Sequence, residues 1–360
     1  MTRALPIDPA TWSAQGAPVC LCRVGARTAL GHDAAAAAAA VRAALAAVAV
    51  HPFFVDRVGA AMKLAWAPGL DPALAFPERM RQLLTSALED MLADLPLSAG
   101  ELPQCWIGLP EPRPGMTSDV HDILTQVAVE TLHLHPSAVR LLPRGHASGL
   151  IALQAAAQQI SSGAVEMCVV AAVDSYHDAD TLEWLDHNGW LMSRVNRNGF
   201  PPGEGAGACL LASERAAARH GLPVAATLVA ASTAREPHSI RGSEVCVGLG
   251  LTAAIDSVVS AAALGPRAIS AAYCDLNGER YRNEELAYTL LRVQEAFRDA
   301  HDYVSPADCW GDVGAASGPL FAALAVASLE RGYAEGRYPL LWAGSESGYR
   351  SAALLNLNTH

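Results

Sequence analysis

Residues 147–163 read ASGLIALQAAAQQISSG, and residues 316–332 read ASGPLFAALAVASLERG. Both open on Ala-Ser-Gly, run through an Ala/Leu-rich segment and close on Gly after 17 residues. They lie 169 residues apart, close to half of the 360-residue chain. An alanine-rich composition produces apolar runs by chance, but it does not fix both ends at one spacing. A fixed-period echo marks a duplicated architecture. Each segment is apolar nearly all round, and a helix with no polar face is buried on every side. Small residues let neighbouring layers approach closely. The pair predicts two central helices held between two sheets.

A strand-like run follows each echo, Met167–Val173 in one half and Pro339–Gly344 in the other. Further apolar runs predict strands at Cys105–Leu109, Val139–Leu142, Ala208–Ala212, Ala225–Ala231, Ile269–Leu276, Leu340–Ala343 and Ala352–Leu357. Continuous apolar runs suit strands covered on both faces. They alternate with helical patterns at Pro77–Leu95, Asp119–Leu132, Thr252–Leu264 and Glu284–Asp299. Such alternation predicts an α/β chain with largely parallel sheets. Ala34–Val50 reads as one soluble helix capped by Asp33; it is mostly alanine and carries Arg42, unlike a membrane span. The polar stretch Ala212–Val224, with Gly221 and Pro223, divides the chain into halves at 1–215 and 223–360.

Hydrophobic residues make up 51% and charged residues 17%, which excludes an intrinsically disordered chain. A net charge of -11 with no basic tract speaks against nucleic acid or an anionic membrane as partner. The eight cysteines form no C-x-x-C pair and no zinc-ligand spacing. Most sit in apolar runs, as Cys168 and Cys209 do. They read as buried thiols in a reducing compartment, so a cytoplasmic protein with no metal is expected. The opening MTRALPIDPATWSAQG has no apolar core of the kind a signal peptide needs.

Four stretches together resemble the β-ketoacyl synthase (condensing enzyme) family of the thiolase fold. Val24–Gly31 is similar to the family's first strand and turn. Arg144–Gly149, RGHASG, stands where the family has its nucleophile elbow. Asn196–Leu211, NRNGFPPGEGAGACLL, is similar to the Gly-Phe…Gly-Glu-Gly-Ala-Gly stretch. Cys309–Gly318, CWGDVGAASG, is similar to the Gly-His-x-x-Gly-Ala-Ala-Gly loop. The resemblance implies duplicated βαβαβαββ halves in a five-layer αβαβα arrangement. It also implies a homodimer paired through the N-terminal halves, and no cofactor.

The functional positions depart from the family. There, a Cys thiolate at the start of a buried helix attacks an acyl thioester, and two His residues support decarboxylation of the extender unit. Carried over by position, the Cys becomes His146, the first His becomes Asn277 and the second becomes Asp312. The family's Lys falls on Ala307, and its Phe-rich gate falls on Ser345-Glu346-Ser347. His146 and Asp312 could form a base and its orienter with Asn277 donating, or all three could be a satisfied polar cluster. The helix dipole would favour neutral His146. Ser148 falls inside the helix, and Cys274 and Cys309 read as structural thiols.

The charged stretch Gly278–Glu285 has two readings. It either starts a solvated helix, with Asn283 as cap and Glu284 and Glu285 in the first turn, or forms a recognition surface. In the second case Arg280 and Arg282 are binding candidates, together with Glu346. Trp184 and Trp190 read either as interface anchors or as half-buried core. The Pro-rich Leu109–Gly115 reads as a loop beside the cleft. The resemblance thus implies a catalytically degenerate accessory, adaptor or scaffold protein. Asp275–Glu285 and Cys309–Gly318 extend it to thiolase-like proteins encoded beside type VI secretion effector genes, with an effector as partner. One alternative is a chain-length-factor-like partner of an active ketosynthase. The other is an acyltransferase or condensing-type enzyme using His146 and Asp312 on an acyl thioester.

Overall fold

A computed structural model describes residues 10–14, 18–97, 101–238, 241–242 and 244–357. Most of the N-terminal stretch read for a signal peptide lies outside them. The chain begins with β1 (Ala10–Ser13) and β2 (Val19–Thr28). Asp33 then caps α1 (Ala34–Arg42), its carboxylate accepting from Ala36 N. The helix stops at Arg42 rather than running on to Val50. Ala49–Val55 forms β3 instead, paired antiparallel with β4 (Ala61–Leu64) in a small separate sheet. The alanine run promotes a helix but does not mark its end, whereas Val50, Phe53 and Phe54 favour extended chain.

Next come α2 (Phe76–Leu92), β5 (Cys105–Leu109), α3 (Val120–Leu132) and β6 (Val139–Pro143). A 3-10 turn at Gly145–Ala147 leads into α4 (Ser148–Ser161). Then follow β7 (Met167–Ser175), α5 (Ala179–His187), β8 (Glu204–Ser213) and α6 (Glu214–His220). The remainder holds β9 (Ala226–Arg235), α7 (Leu249–Ala261), β10 (Ile269–Cys274) and α8 (Arg280–Val293). It closes with α9 (Ala307–Trp310), α10 (Ser317–Glu330), β11 (Tyr338–Gly344) and β12 (Tyr349–Leu357).

The strands run in the order β10-β11-β12-β9-β2-β8-β7-β5-β6, with β1 added to β9. β2 and β9 pair only at Val19–Leu21 against Ala226–Leu228, and the sheet divides there into two walls. Between the walls lie α4 and α10: α4 packs on β5 and β7 and also on β9 and β12, and α10 on β2, β8 and β11. The outer face of the first wall is covered by α2 and α3, that of the second by α7 and α8. The result is the five-layer αβαβα arrangement that the resemblance implies, with the two echoing segments as its central helices. The sheets are mixed rather than largely parallel. β5 is parallel to β6 and β7, and β10 to β11, but β7–β8, β2–β8, β11–β12 and β9–β12 are antiparallel.

The walls match strand for strand except at one place. β5, β7, β8 and β2 correspond to β10, β11, β12 and β9. Only isolated parallel bridges, from Phe297 to Ile269 and from Val304 to Tyr273, stand where a counterpart of β6 belongs. Among the described residues the second half therefore shows one strand fewer than the expected βαβαβαββ. Its residues 294–306 are polar, end in Pro306 and offer no apolar run to pair.

Glycine sets the spacing of the two central helices. A Cβ at Gly149 would lie 2.5 Å from Pro319 Cδ, and one at Gly318 would lie 2.7 Å from the Leu150 nitrogen. Every residue of α10 from Ser317 to Ser328 is buried. The GEGAG stretch adds a buried anchor. Glu204 accepts from Ala67 N at 2.8 Å and Ser175 Oγ at 2.7 Å, and pairs with Arg79 at 3.4 Å. Among the described residues no helix is long and apolar enough to cross a membrane.

Candidate functional site

β5, β6 and β7 all end at one rim, and open α/β sheets collect ligands at the carboxyl ends of their strands. Gly145 turns the chain there with φ +66°, a conformation that a side chain would strain. The turn sets His146 just ahead of α4. Gly314 makes the corresponding turn 169 residues later, before α10, and Asp312 stands opposite His146.

His146 Nε2 lies 2.9 and 3.0 Å from the two oxygens of Asp312. Asn277 Nδ2 donates to Asp312 Oδ2 at 2.6 Å, and Gly314 N donates to Oδ1 at 2.7 Å. All three side chains are buried. Burial works against the charge on His146, but Asp312 outweighs it and the imidazole pKa rises. Burial likewise works against the Asp312 carboxylate, but His146, Arg282 and Asn277 hold its pKa well below the usual range. The contact thus favours the imidazolium–carboxylate form of the pair. The direction is opposite to the lowered His146 pKa expected from the helix start, because a carboxylate in contact outweighs the partial charge there.

The charged stretch behaves differently from both of its expected forms. Glu279, not Asn283, precedes the helix, and Asn283 lies inside it, donating to the Glu279 carbonyl at 3.1 Å. Arg280 faces solvent and pairs with Glu284 at 2.7 Å. Arg282 and Glu285 are buried. Arg282 donates to Asp275 at 2.8 Å and to the Gly344 carbonyl at 3.0 Å, with Nη2 3.5 Å from His146 Nε2. Arg280 and Arg282 thus do not share a surface, because residues two apart on a helix point to nearly opposite sides. Glu346 faces the cleft. It accepts from Tyr281 at 2.6 Å and from Arg241 at 2.8 Å. Ser345 ties the elbow down, accepting from Ala147 N at 2.9 Å and donating to the Arg144 carbonyl.

His146, Asp312, Glu279, Arg282 and Glu346 line a cavity of about 300 Å³. Its other wall is aromatic, with Tyr176, Trp184, Trp190 and Phe200. Trp184 and Trp190 are half-buried and meet edge to face at 4.8 Å. Sequence reasoning missed three charged residues here. Arg113, from the Pro-rich loop, donates to Asp174 at 2.6 Å and lies 4.2 Å from the Tyr176 ring centroid. Arg241 lies 3.6 Å from the Trp190 ring centroid and binds both Glu346 and Glu279. Asp174 is the penultimate residue of β7 and Arg113 lies in the loop that leaves β5, so both stand at strand carboxyl ends, which is the signal that points to them.

Acyl transfer needs an activated nucleophile. The eight cysteines are free, and the pKa of each is raised, with burial the largest cause. Ser148 Oγ is buried without a hydrogen-bond partner, and Ser345 Oγ is committed to backbone. Neither hydroxyl bonds to His146. The cleft therefore pairs its charges, His146 with Asp312, Arg113 with Asp174 and Arg241 with Glu346.

Residues 145–217 match the family described as "Beta-ketoacyl synthase, N-terminal domain". No curated protein matches the chain. Solved structures match throughout. The ishigamide ketosynthase/chain length factor is 16% identical with a TM-score of 0.79, over 95% of this chain and 100% of that one. A type II polyketide synthase acyl-carrier protein in complex with its ketosynthase bound to the hexaketide gives 15%, 0.78, 96% and 100%. The ketosynthase from module 6 of the bacillaene synthase from Bacillus subtilis 168 gives 14%, 0.79, 95% and 72%. The chain has the thiolase fold of these ketosynthases, and its residues 145–217 resemble the N-terminal domain of β-ketoacyl synthases.

Proposed function

We propose that this chain is a catalytically silent ketosynthase-like subunit that works by binding, paired with a second chain of the same fold. The observation that carries this is the His146–Asp312 ion pair at the nucleophile position. His146 Nε2 is committed to Asp312, and no thiol in the chain is shifted toward thiolate. The matched structures support a partner of the same kind, since one is a ketosynthase/chain length factor and one a ketosynthase with its acyl-carrier protein. β6 supports pairing as well. It ends the first wall with one edge unpaired among the described residues, directly before the elbow. In this reading 1–215 and 223–360 act as halves of one unit, and the homodimer forms through the first. An adaptor for a secretion effector would share the silent cleft and differ in its partner.

The test is a malonyl-CoA decarboxylation and chain-extension assay beside light scattering. The expected results are no turnover above the blank and a mass near twice 37.6 kDa. Turnover that disappears in His146→Ala overturns the silent reading, and a monomer overturns the pairing.

A further inference from the structure

Away from the ion pair, two buried imidazoles touch. His51 on β3 and His177 after β7 place their Nε2 atoms 2.9 Å apart, with 2% and 3% of their surfaces exposed. The backbone fixes the protons. His51 Nδ1 accepts from Phe53 N and Phe54 N, each at 3.2 Å, so the His51 proton is on Nε2. Nε2–H then donates to His177 Nε2, and the His177 proton is on Nδ1. Neither ring can take a second proton in place. A proton on His177 Nε2 would face the His51 N–H, and one on His51 Nδ1 would face two backbone N–H groups.

The contact joins the β3–β4 hairpin to the cleft wall. Met62 and Leu64 of β4 share one small core with Tyr176, Leu182, Leu185 and Phe200. Tyr176, Leu185 and Phe200 also line the cleft. The hairpin belongs to neither wall of the main sheet, and its outward residues Phe53 and Val55 are 72% and 60% exposed. The His51–His177 contact is thus a buried polar tie between hairpin and cleft wall, and an exposed tie stands beside it where Arg57 N donates to Asp186 at 2.7 Å.

We propose that His51 and His177 form an acid-sensitive latch, which holds the β3–β4 hairpin against the cleft wall when both rings are neutral and releases it on protonation. Surrounding charge favours release. Arg79 on α2 opposes a proton on both rings, and its partner Glu204 on β8 is turned to Ser175 and Ala67. Asp56 on the hairpin is occupied by Val58 N and Ala60 N, and Asp178 by Thr181 N. Burial, Arg79 and His51 push His177 down to about 3, and burial and Arg79 also lower His51. Released imidazoles titrate near 6.5, so opening gains protons as pH falls below that value.

Hydrogen exchange of the full chain at pH 7 and pH 5, corrected for intrinsic rates and run in EDTA, tests the latch. Opening of residues 49–64 should rise about 25-fold from His177 alone, while β7 stays unchanged. His177→Gln keeps an acceptor for His51 and should lose that share of the response. Histidine NMR of the unaltered protein gives a second readout: His51 should be the Nε2–H tautomer and His177 the Nδ1–H tautomer. Equal hairpin protection at both pH values, a full response in His177→Gln, or opposite tautomers overturns the latch. So does hairpin opening caused by EDTA at pH 7, which would assign the pair to a metal.

Discussion

Replacing Asp312 by Asn tests whether the cleft is held by charge. Asp312 takes donors from His146, Asn277 and Gly314 on its two oxygens. Asparagine offers one oxygen and one amide. Placed at Oδ1 the amide meets the Gly314 N–H, and placed at Oδ2 it meets the Asn277 amide. Either way a donor faces a donor in a buried site. Removing one partner of a buried ion pair costs about 3–5 kcal/mol when the other charge remains. His146 can shed its proton, so the expected cost is about 2–4 kcal/mol, nearer that of lost charge-assisted hydrogen bonds. The pH dependence is the sharper readout. The raised pKa of His146 means its stabilisation is complete below about 6.5 and is lost as pH rises through the folded value. The lowered pKa of Asp312 means its share is present above about 3.9 and is lost as pH falls. Urea midpoints of the native chain and Asp312→Asn should therefore differ most between about pH 4 and 6.5, and the gap should narrow toward pH 9 to the part left by the Asn277 and Gly314 donors. Comparing the two chains cancels the opposite contribution of His51 and His177. An equal gap at pH 6 and pH 9 would refute the ion pair.

Further expectations concern the core and the elbow. Glu204→Ala leaves Arg79 buried without its carboxylate and should lower stability by about 3–5 kcal/mol in urea unfolding, whereas Arg79→Met/Glu204→Leu should cost much less. Equal losses would show that Arg79 does not depend on Glu204. Gly318→Val drives a side chain into the Leu150 backbone and should abolish soluble expression. A folded variant with an unchanged melting temperature would contradict the close approach of the central helices. His146→Cys should be alkylated slowly by iodoacetamide, because Asp312 disfavours a neighbouring thiolate. Asn277→His and Asp312→His added to it should speed alkylation, and no difference in rate would deny Asp312 that control.

The layers were legible because the echo fixes both ends of two buried helices, and a helix with no polar face has few places to go. The meeting of His146, Asn277 and Asp312 was legible because the resemblance carried all three over to one site, and the fold brings them into contact. The strand β3 was hidden behind alanines, whose propensity does not mark where a helix ends. The incomplete second wall was hidden because a missing strand leaves only a polar loop, which sequence shows everywhere. Arg282 was read as surface because its neighbours are charged; burial needs partners, and Asp275, Gly344 and Glu279 come together only in the fold. Arg241 on Trp190 and His51 on His177 join segments far apart in the chain with no motif to announce them.

The proposed silent subunit requires that His146, held against Asp312, attack no acyl group. Intact-protein mass after incubation with an acyl-CoA and an acylated carrier protein, quenched within seconds, tests it most directly. The expected spectrum is the unmodified mass for both the native chain and His146→Ala. A stoichiometric acyl adduct on the native chain that is absent from His146→Ala would contradict the claim and make His146 a nucleophile.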